Sequence, residues 1–199
     1  MDDVIKRSKE RLKLFKKYGY DILRARNFII SKAKLVKGGG MLEIGTGRGH
    51  MSTILAQNGF KFVSIDLDKK VQHVAKIHLK AIKRDKSVTL KIMNAERLRY
   101  KADYFSQVIS VNFIHHAKNP VRCLKEMIRV TKNKLIIADI NKRGERIMKK
   151  VHMLDGHSHE VSKMSLQETE VFLKQEGMKV KAYKDTCQTV IVAKKGDVK

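Results

Sequence analysis

From Met41 onward the chain alternates between two hydrophobic periods, and that alternation leaves few folds open. "MLEIG" is a short apolar strand, "HMSTILAQNG" a helix closed by Gly59, and "KFVSIDL" a second strand. In "DKKVQHVAKIHLKAIKR", Val71, Val74, Ala75, His78 and Ile82 fall on one predicted helical face. "VTLKIM" and "SQVISVN" read as strands three and four. Asn119-Pro120 opens the next helix with a capping residue and a proline in the first turn, "RCLKEMIRV" continues it, and "KLIIADI" is strand five. Ser165-Leu-Gln-Glu168 is a capping box, and Gly177 closes its helix. Strands separated by helices must pair in parallel and be covered on both faces. The last two β-rich runs, "MKVKAYK" and "QTVIVAK", are too close for a crossover and are expected as an antiparallel hairpin at the sheet edge. The reading is a doubly wound α/β domain.

Residues 1–37 read as helical and basic, with Ile22, Ala25, Ile29, Ala33 and Val36 on one face and "KGGG" as the stop. Length and composition suit one domain with a real core: 199 residues, 42% hydrophobic, a single proline. No apolar run is long enough to span a bilayer, and the charged N-terminus lacks a signal-peptide core. Cys123 and Cys187 match no metal or redox spacing, so a reduced, cytoplasmic setting is expected. A formal charge of +24 favours polyanionic neighbours, RNA among them, although the lysines are spread along the whole chain.

The segment "MLEIGTGRGHMSTILAQNGFKFVSIDLD" carries the strongest functional signal. Gly45, Gly47 and Gly49 follow a strand and open a helix, and Asp66 ends the next strand, where a carboxylate can accept from two ribose hydroxyls. The glycine spacing is not that of a dinucleotide loop. Glu43, two residues before Gly45, would repel a pyrophosphate and attract an ammonium group. A cofactor built from a ribose and an amino acid fits better than one with two phosphates.

"LEIGTGRGH" resembles motif I of the class I S-adenosylmethionine-dependent methyltransferases, and "SIDLD" resembles their ribose-binding acidic motif. "MNAERLRY…ADYFSQVISVNFIHHAKNP" is similar to the corresponding stretch of the subgroup that methylates quinones and other small molecules. The resemblance runs from about residue 41 to 140 and implies a Rossmann-like fold with S-adenosyl-L-methionine as cofactor. It implies that Gly45, Gly47 and Gly49 line the methionine part and that Glu43 helps hold its ammonium. Asp66 would hold the ribose and Leu67 the adenine face. Asn94 and Ala95 would meet the adenine edge, and Asn112 would flank the methionine. Asn94 stands where the family often has Asp, and Phe105-Ser106 where it often has Phe-Asp. Residues 1–39 would form a basic helical segment, either a lid over the cofactor or a cover on the sheet edge, or one that rests on an anionic membrane. Residues 40–199 would form the cofactor-binding domain.

Methyl transfer from a sulfonium is an in-line displacement that depends mainly on alignment, with a general base needed only for an acceptor that carries a high-pKa proton. His115 and His116, just after strand four, are the candidate catalytic residues; as neighbours they are expected to point apart, and each could equally be structural. His152, Asp155, His157, His159 and Glu160 contain a His-x-His flanked by carboxylates, but most methyl transfers need no metal, so none is expected and the segment reads as a substrate-side loop. "NFIH" differs from the Asn-Pro-Pro-aromatic pattern of base amino-group methylation, and no Pro-Cys pair offers a pyrimidine nucleophile. These absences disfavour two nucleic-acid routes and leave ribose and other base positions open; the resemblance implies a small-molecule or lipid-like acceptor. RNA methylation through the basic surface and a non-catalytic cofactor- or RNA-binding module are the alternatives.

Overall fold

In the computed structural model, which describes residues 2–154 and 164–196, seven strands form one sheet with helices on both faces. The strands are β1 (Met41–Ile44), β2 (Phe62–Asp66), β3 (Val88–Ile92), β4 (Phe105–Val111), β5 (Thr131–Ile140), β6 (Lys179–Lys184) and β7 (Gln188–Lys194). Their order is β3-β2-β1-β4-β5-β7-β6; the first five are parallel, and β7 runs antiparallel to both of its neighbours. The C-terminal pair does form a hairpin. It enters by β7, which is inserted between β5 and the edge strand β6. The edge is lysine-rich, with Lys179, Lys181 and Lys184 on β6, a device that discourages pairing with another chain.

The helices are α1 (Asp2–Lys17), α2 (Ile22–Ala33), α3 (His50–Gln57), α4 (Lys69–Ala81), α5 (Pro120–Val130), α6 (Lys142–Leu154) and α7 (Leu166–Gln175). The N-terminal helical run breaks in two at Gly19, which adopts a left-handed conformation. α2 is capped by the Asp21 carboxylate and ends at Lys34, also left-handed. The Lys134 ammonium donates to the Ala33 and Lys34 carbonyls at 2.7 and 2.8 Å, satisfying groups the helix end leaves open. Val36 therefore lies beyond the helix, exposed, and not on its apolar face.

The buried face of α4 also differs from the expected one: it is formed by Gln72, Ala75 and Leu79. Gln72 is buried because its amide bridges the Thr46 hydroxyl and the Lys91 carbonyl. α6 was not foreseen at all. Gly144, Met148 and Val151 are its only buried positions in a run of basic residues, so its apolar stripe is thin.

Two apolar layers sandwich the sheet, one holding Ile29, Leu55 and Ile136, the other Leu124, Met127 and Leu173. A third cluster, with Phe15, Tyr20, Ile22, Met148 and Val151, ties α1, α2 and α6 together. The crossovers leave β1 and β4 in opposite directions along the sheet, so a crevice opens where their C-terminal ends meet, the usual ligand position in such sheets. No helix among the described residues is long and apolar enough to cross a membrane.

Candidate functional site

The loops after β1 and β4 meet in that crevice, and each glycine of the first loop is there for its own reason. A Cβ on Gly45 would lie 2.9 Å from Phe113, the residue that turns the chain after β4. A Cβ on Gly49 would lie 2.7 Å from the Ala75 Cβ, so Gly49 lets α3 and α4 touch. Gly47 alone faces open space. Its N–H donates to the Asp66 carboxylate at 2.7 Å, and the other carboxylate oxygen accepts from Asp68 N–H at 2.9 Å. Each Asp66 oxygen keeps a further lone pair, as ribose recognition requires.

Glu43 is 1% exposed at the end of β1. The Ser52 and Ser64 hydroxyls both donate to its Oε2, at 2.5 and 2.6 Å. Thr46 and Gln72 extend the chain of hydrogen bonds behind Ser64. Burial, opposed by the two hydroxyls, pushes the Glu43 carboxyl up to about 7. Its second oxygen, Oε1, is buried without a hydrogen-bond partner, and so is Oδ1 of Asn112, itself held at a left-handed φ of 52° after β4. Two orphaned acceptors beside a glycine loop suit an ammonium donor.

Arg26, which the sequence reading overlooked, supplies the complementary charge. It is 5% exposed, bonds only weakly to the Tyr20 hydroxyl (3.4 Å) and the Gln188 side-chain carbonyl (3.3 Å), and leaves Nε without a partner. No carboxylate pairs with it among the described residues. A buried guanidinium in that state is stabilised by an anion, and a carboxylate fits its fork. Orphaned acceptors on one side and a buried cation without an ion-pair partner among the described residues on another match the two ends of a zwitterionic amino acid.

Arg26 and Asn112 line a cavity of about 230 Å³, with Glu43 buried behind the loop; its walls also include Arg11 and Phe15 of α1, Arg48 of the glycine loop, His50 at the start of α3, and Met148 and His152 of α6. α1 thus contributes directly to the cavity wall, and its Ser8 hydroxyl meets His78 Nε2 at 2.9 Å. Burial, reinforced by the charges of Arg26, His78, Arg48 and Arg11, lowers the His50 imidazole to about 3, so that ring is neutral. A second cleft of about 610 Å³ is lined by Leu67, 68% exposed, together with Ile92, Met93 and Asn94. Asp66 precedes Leu67 and is bonded to Gly47, so it links the two spaces. The Asn94 side-chain carbonyl accepts from Glu96 N–H at 2.8 Å, and Ala95 is buried behind it. Apolar side chains beside the hydrogen-bonding Asn94 in one cleft suit a purine.

His115 and His116 form a short turn after β4. Against expectation they do not point apart: their rings lie 3.9 Å between centroids, and both line the smaller cavity. His115 Nδ1 bonds Asp139 Oδ1 at 2.5 Å, and its backbone N–H reaches the other Asp139 oxygen at 3.3 Å. Asp139, absent from the sequence reading, sits at the end of β5 and is 4% exposed. That bond places the ring proton on Nδ1 and leaves Nε2 as the basic nitrogen. His115 and Asp139 also line a third cavity, of about 990 Å³, between α6, the start of α7 and β6–β7. His152 is described and lines the smaller cavity, whereas Asp155, His157, His159 and Glu160 lie outside the described residues.

Residues 42–138 match a protein family described as a methyltransferase domain. No curated protein matches the sequence. Among solved structures, an S-adenosyl-L-methionine-dependent methyltransferase assigned from Methanococcus maripaludis is 18% identical, with a TM-score of 0.73 over 98% of this chain and 93% of that one. A methyltransferase from Aquifex aeolicus is 17% identical, with a TM-score of 0.68 over 92% and 97% of the two chains. The magnesium protoporphyrin IX methyltransferase of Synechocystis, solved with S-adenosylhomocysteine bound, is 15% identical, with a TM-score of 0.65 over 88% and 82%. At such identities these likenesses speak for the fold.

Proposed function

The chain carries a class I S-adenosylmethionine-dependent methyltransferase domain, and we propose that it transfers the methyl group to a small-molecule or lipid-like acceptor, with His115 as general base. Bound in the crevice, the cofactor supplies a methyl group already activated by its sulfonium. Glu43 and Asn112 would accept from its ammonium, Arg26 would face its carboxylate, and Asp66 would hold the ribose. Leu67, Asn94 and Ala95 would border the adenine. α1 closes over the methionine end through Arg11 and Phe15, a lid that excludes water from the transfer site.

One observation carries the choice of acceptor: His115 stands in the wall shared by the cofactor cavity and the 990 Å³ cavity. The larger space is of the size that encloses a small organic ligand. A hydroxyl or similar group entering from it meets His115 Nε2, which takes its proton while Asp139 holds the imidazole in the right tautomer.

Methyl transfer to RNA is the second reading, favoured by one feature of the sheet. Strand register sets Lys134 opposite Lys194 and Lys194 opposite Lys179, a row of three lysines across β5, β7 and β6, of which the Lys134 ammonium is already bonded to the Ala33 and Lys34 carbonyls. These lie at the start of β5, at the far end of the sheet from Asp139, so they would dock a polyanion without presenting it to His115. Incubation of cell extract with tritiated cofactor and fractionation of the product separates the two. Label in small organic molecules supports the proposal, and label in an RNase-sensitive fraction overturns it.

A further inference from the structure

The large cavity is chemically lopsided. Its apolar lining includes Ile114, Ile140 and Leu166, and its charged lining mixes both signs. The carboxylates are all committed. Asp139 holds His115, Glu145 pairs with Lys149 at 2.9 Å, Glu170 pairs with Lys174 at 2.7 Å, and Glu168 accepts from the Ser165 hydroxyl and N–H in the capping box of α7. The cations are not. Lys142, Arg143 and Arg146 on α6 have no carboxylate partner among the described residues.

Arg143 and Arg146 are three residues apart, hence on one face of α6. They belong at once to this cavity and to a neighbouring groove of about 380 Å³ lined by Tyr18, Ile147 and Lys150, in which no carboxylate takes part. Lys150 lies over the Tyr18 ring, 4.5 Å from its centroid. Two guanidiniums thus line both the large cavity and the basic groove beside it. Placing them side by side with no carboxylate partner among the described residues is an arrangement that suits an anionic ligand.

We propose that the methyl acceptor is an amphiphilic anion: an apolar body lying against Ile114, Ile140 and Leu166, and a carboxylate or phosphate group held by Arg143 and Arg146. The assignment rests on the methyl-transfer reading and narrows its substrate class. It also gives the acceptor an orientation. Arg143 and Arg146 hold the acid at the α6 wall, and the group to be methylated is directed to His115, which lines the same cavity.

Calorimetric titration of the protein saturated with S-adenosylhomocysteine tests this, with octanoate, octyl phosphate and octanol as probes. The expected result is that at least one anion binds ten-fold or more tightly than octanol. The double variant Arg143→Gln, Arg146→Gln should lose that preference by roughly ten-fold or more. Both side chains are exposed, so the variant keeps its fold, as its melting temperature will show. Because the whole protein is cationic, Lys61→Gln with Lys86→Gln, two exposed lysines at the opposite end of the sheet, serves as the control and should leave binding unchanged. Octanoate against octyl phosphate distinguishes a carboxylate from a phosphate site. Octanol binding as well as both anions, or anion affinity equal in the arginine variant and the wild type, overturns the proposal. Failure of S-adenosylhomocysteine to bind at all would instead sink the cofactor reading beneath it.

Discussion

Glu43 couples cofactor binding to pH, and the coupling can be worked through from its surroundings. Its carboxyl sits at about 7 because burial outweighs the two serine hydroxyls and the Arg26 charge, with Asp66 adding to the upward push. The carboxylate that an ammonium group needs is therefore roughly a tenth formed at pH 6 and roughly nine tenths formed at pH 8. S-adenosylmethionine affinity should rise about ten-fold between those values, with a proton released on binding near neutral pH. The same group sets a stability trend of opposite sense. Its folded value lies above the unfolded one, so its favourable contribution is complete below about 4.5 and is lost as pH rises through about 7. Between pH 5 and pH 8 that loss is about 2.5 kcal/mol in the cofactor-free protein. Glu43→Gln removes it. The melting-temperature difference between variant and wild type should therefore be about 5–10 °C more favourable to the variant at pH 8 than at pH 5. Calorimetry in buffers of unequal ionisation enthalpy reads the proton, and thermal melts at the two pH values read the stability. Affinity independent of pH from 6 to 8, or pH dependence retained by Glu43→Gln, would refute the reasoning.

The remaining predictions address the other contacts. Asp66→Ala removes a charged acceptor and the partner of Gly47 N–H, and should weaken cofactor binding by about 3 kcal/mol or more, read by calorimetry. Gly49→Ala drives a Cβ into Ala75 and should cost about 1–3 kcal/mol of stability by denaturant melt, whereas Gly47→Ala should act chiefly on cofactor affinity. Asp139→Asn frees the His115 tautomer and should lower kcat by about 10²-fold or more with KM little changed; an unaltered kcat would remove the base from the mechanism.

Much of the fold was legible because parallel strands buried on both faces have a plain signature. β1 is buried at all four positions and β4 at six of seven, so their sequences are apolar runs bounded by turn residues. Legibility fell where polar atoms are buried by hydrogen bonds. Gln72 shifted the inward face of α4 by one position, since an amide satisfied by Thr46 and Lys91 behaves as core while reading as surface. α6 was hidden for the opposite reason. Gly144 must be glycine because a Cβ there would collide with the Cys187 carbonyl, yet glycine within a basic run reads as a break.

The site divides along the same line. Glu43, Gly47 and Asp66 belong to one local strand–loop–helix–strand unit, and their spacing alone places them together. Arg26 and Asp139 reach the site from elsewhere in the chain, so no local pattern announces them. Asp139 was nevertheless recoverable from topology. Once β4 and β5 are paired in parallel, Val111 lies beside Ala138, and the residues just past each strand end share one side of the crevice. A histidine a few positions beyond β4 then has the last polar residue of β5 within reach. That residue is an aspartate set in the run "LIIADI", where alternation alone would score it as a surface position. Its burial, and the bond it makes to His115, follow from the crossover connection and not from anything within six residues of it.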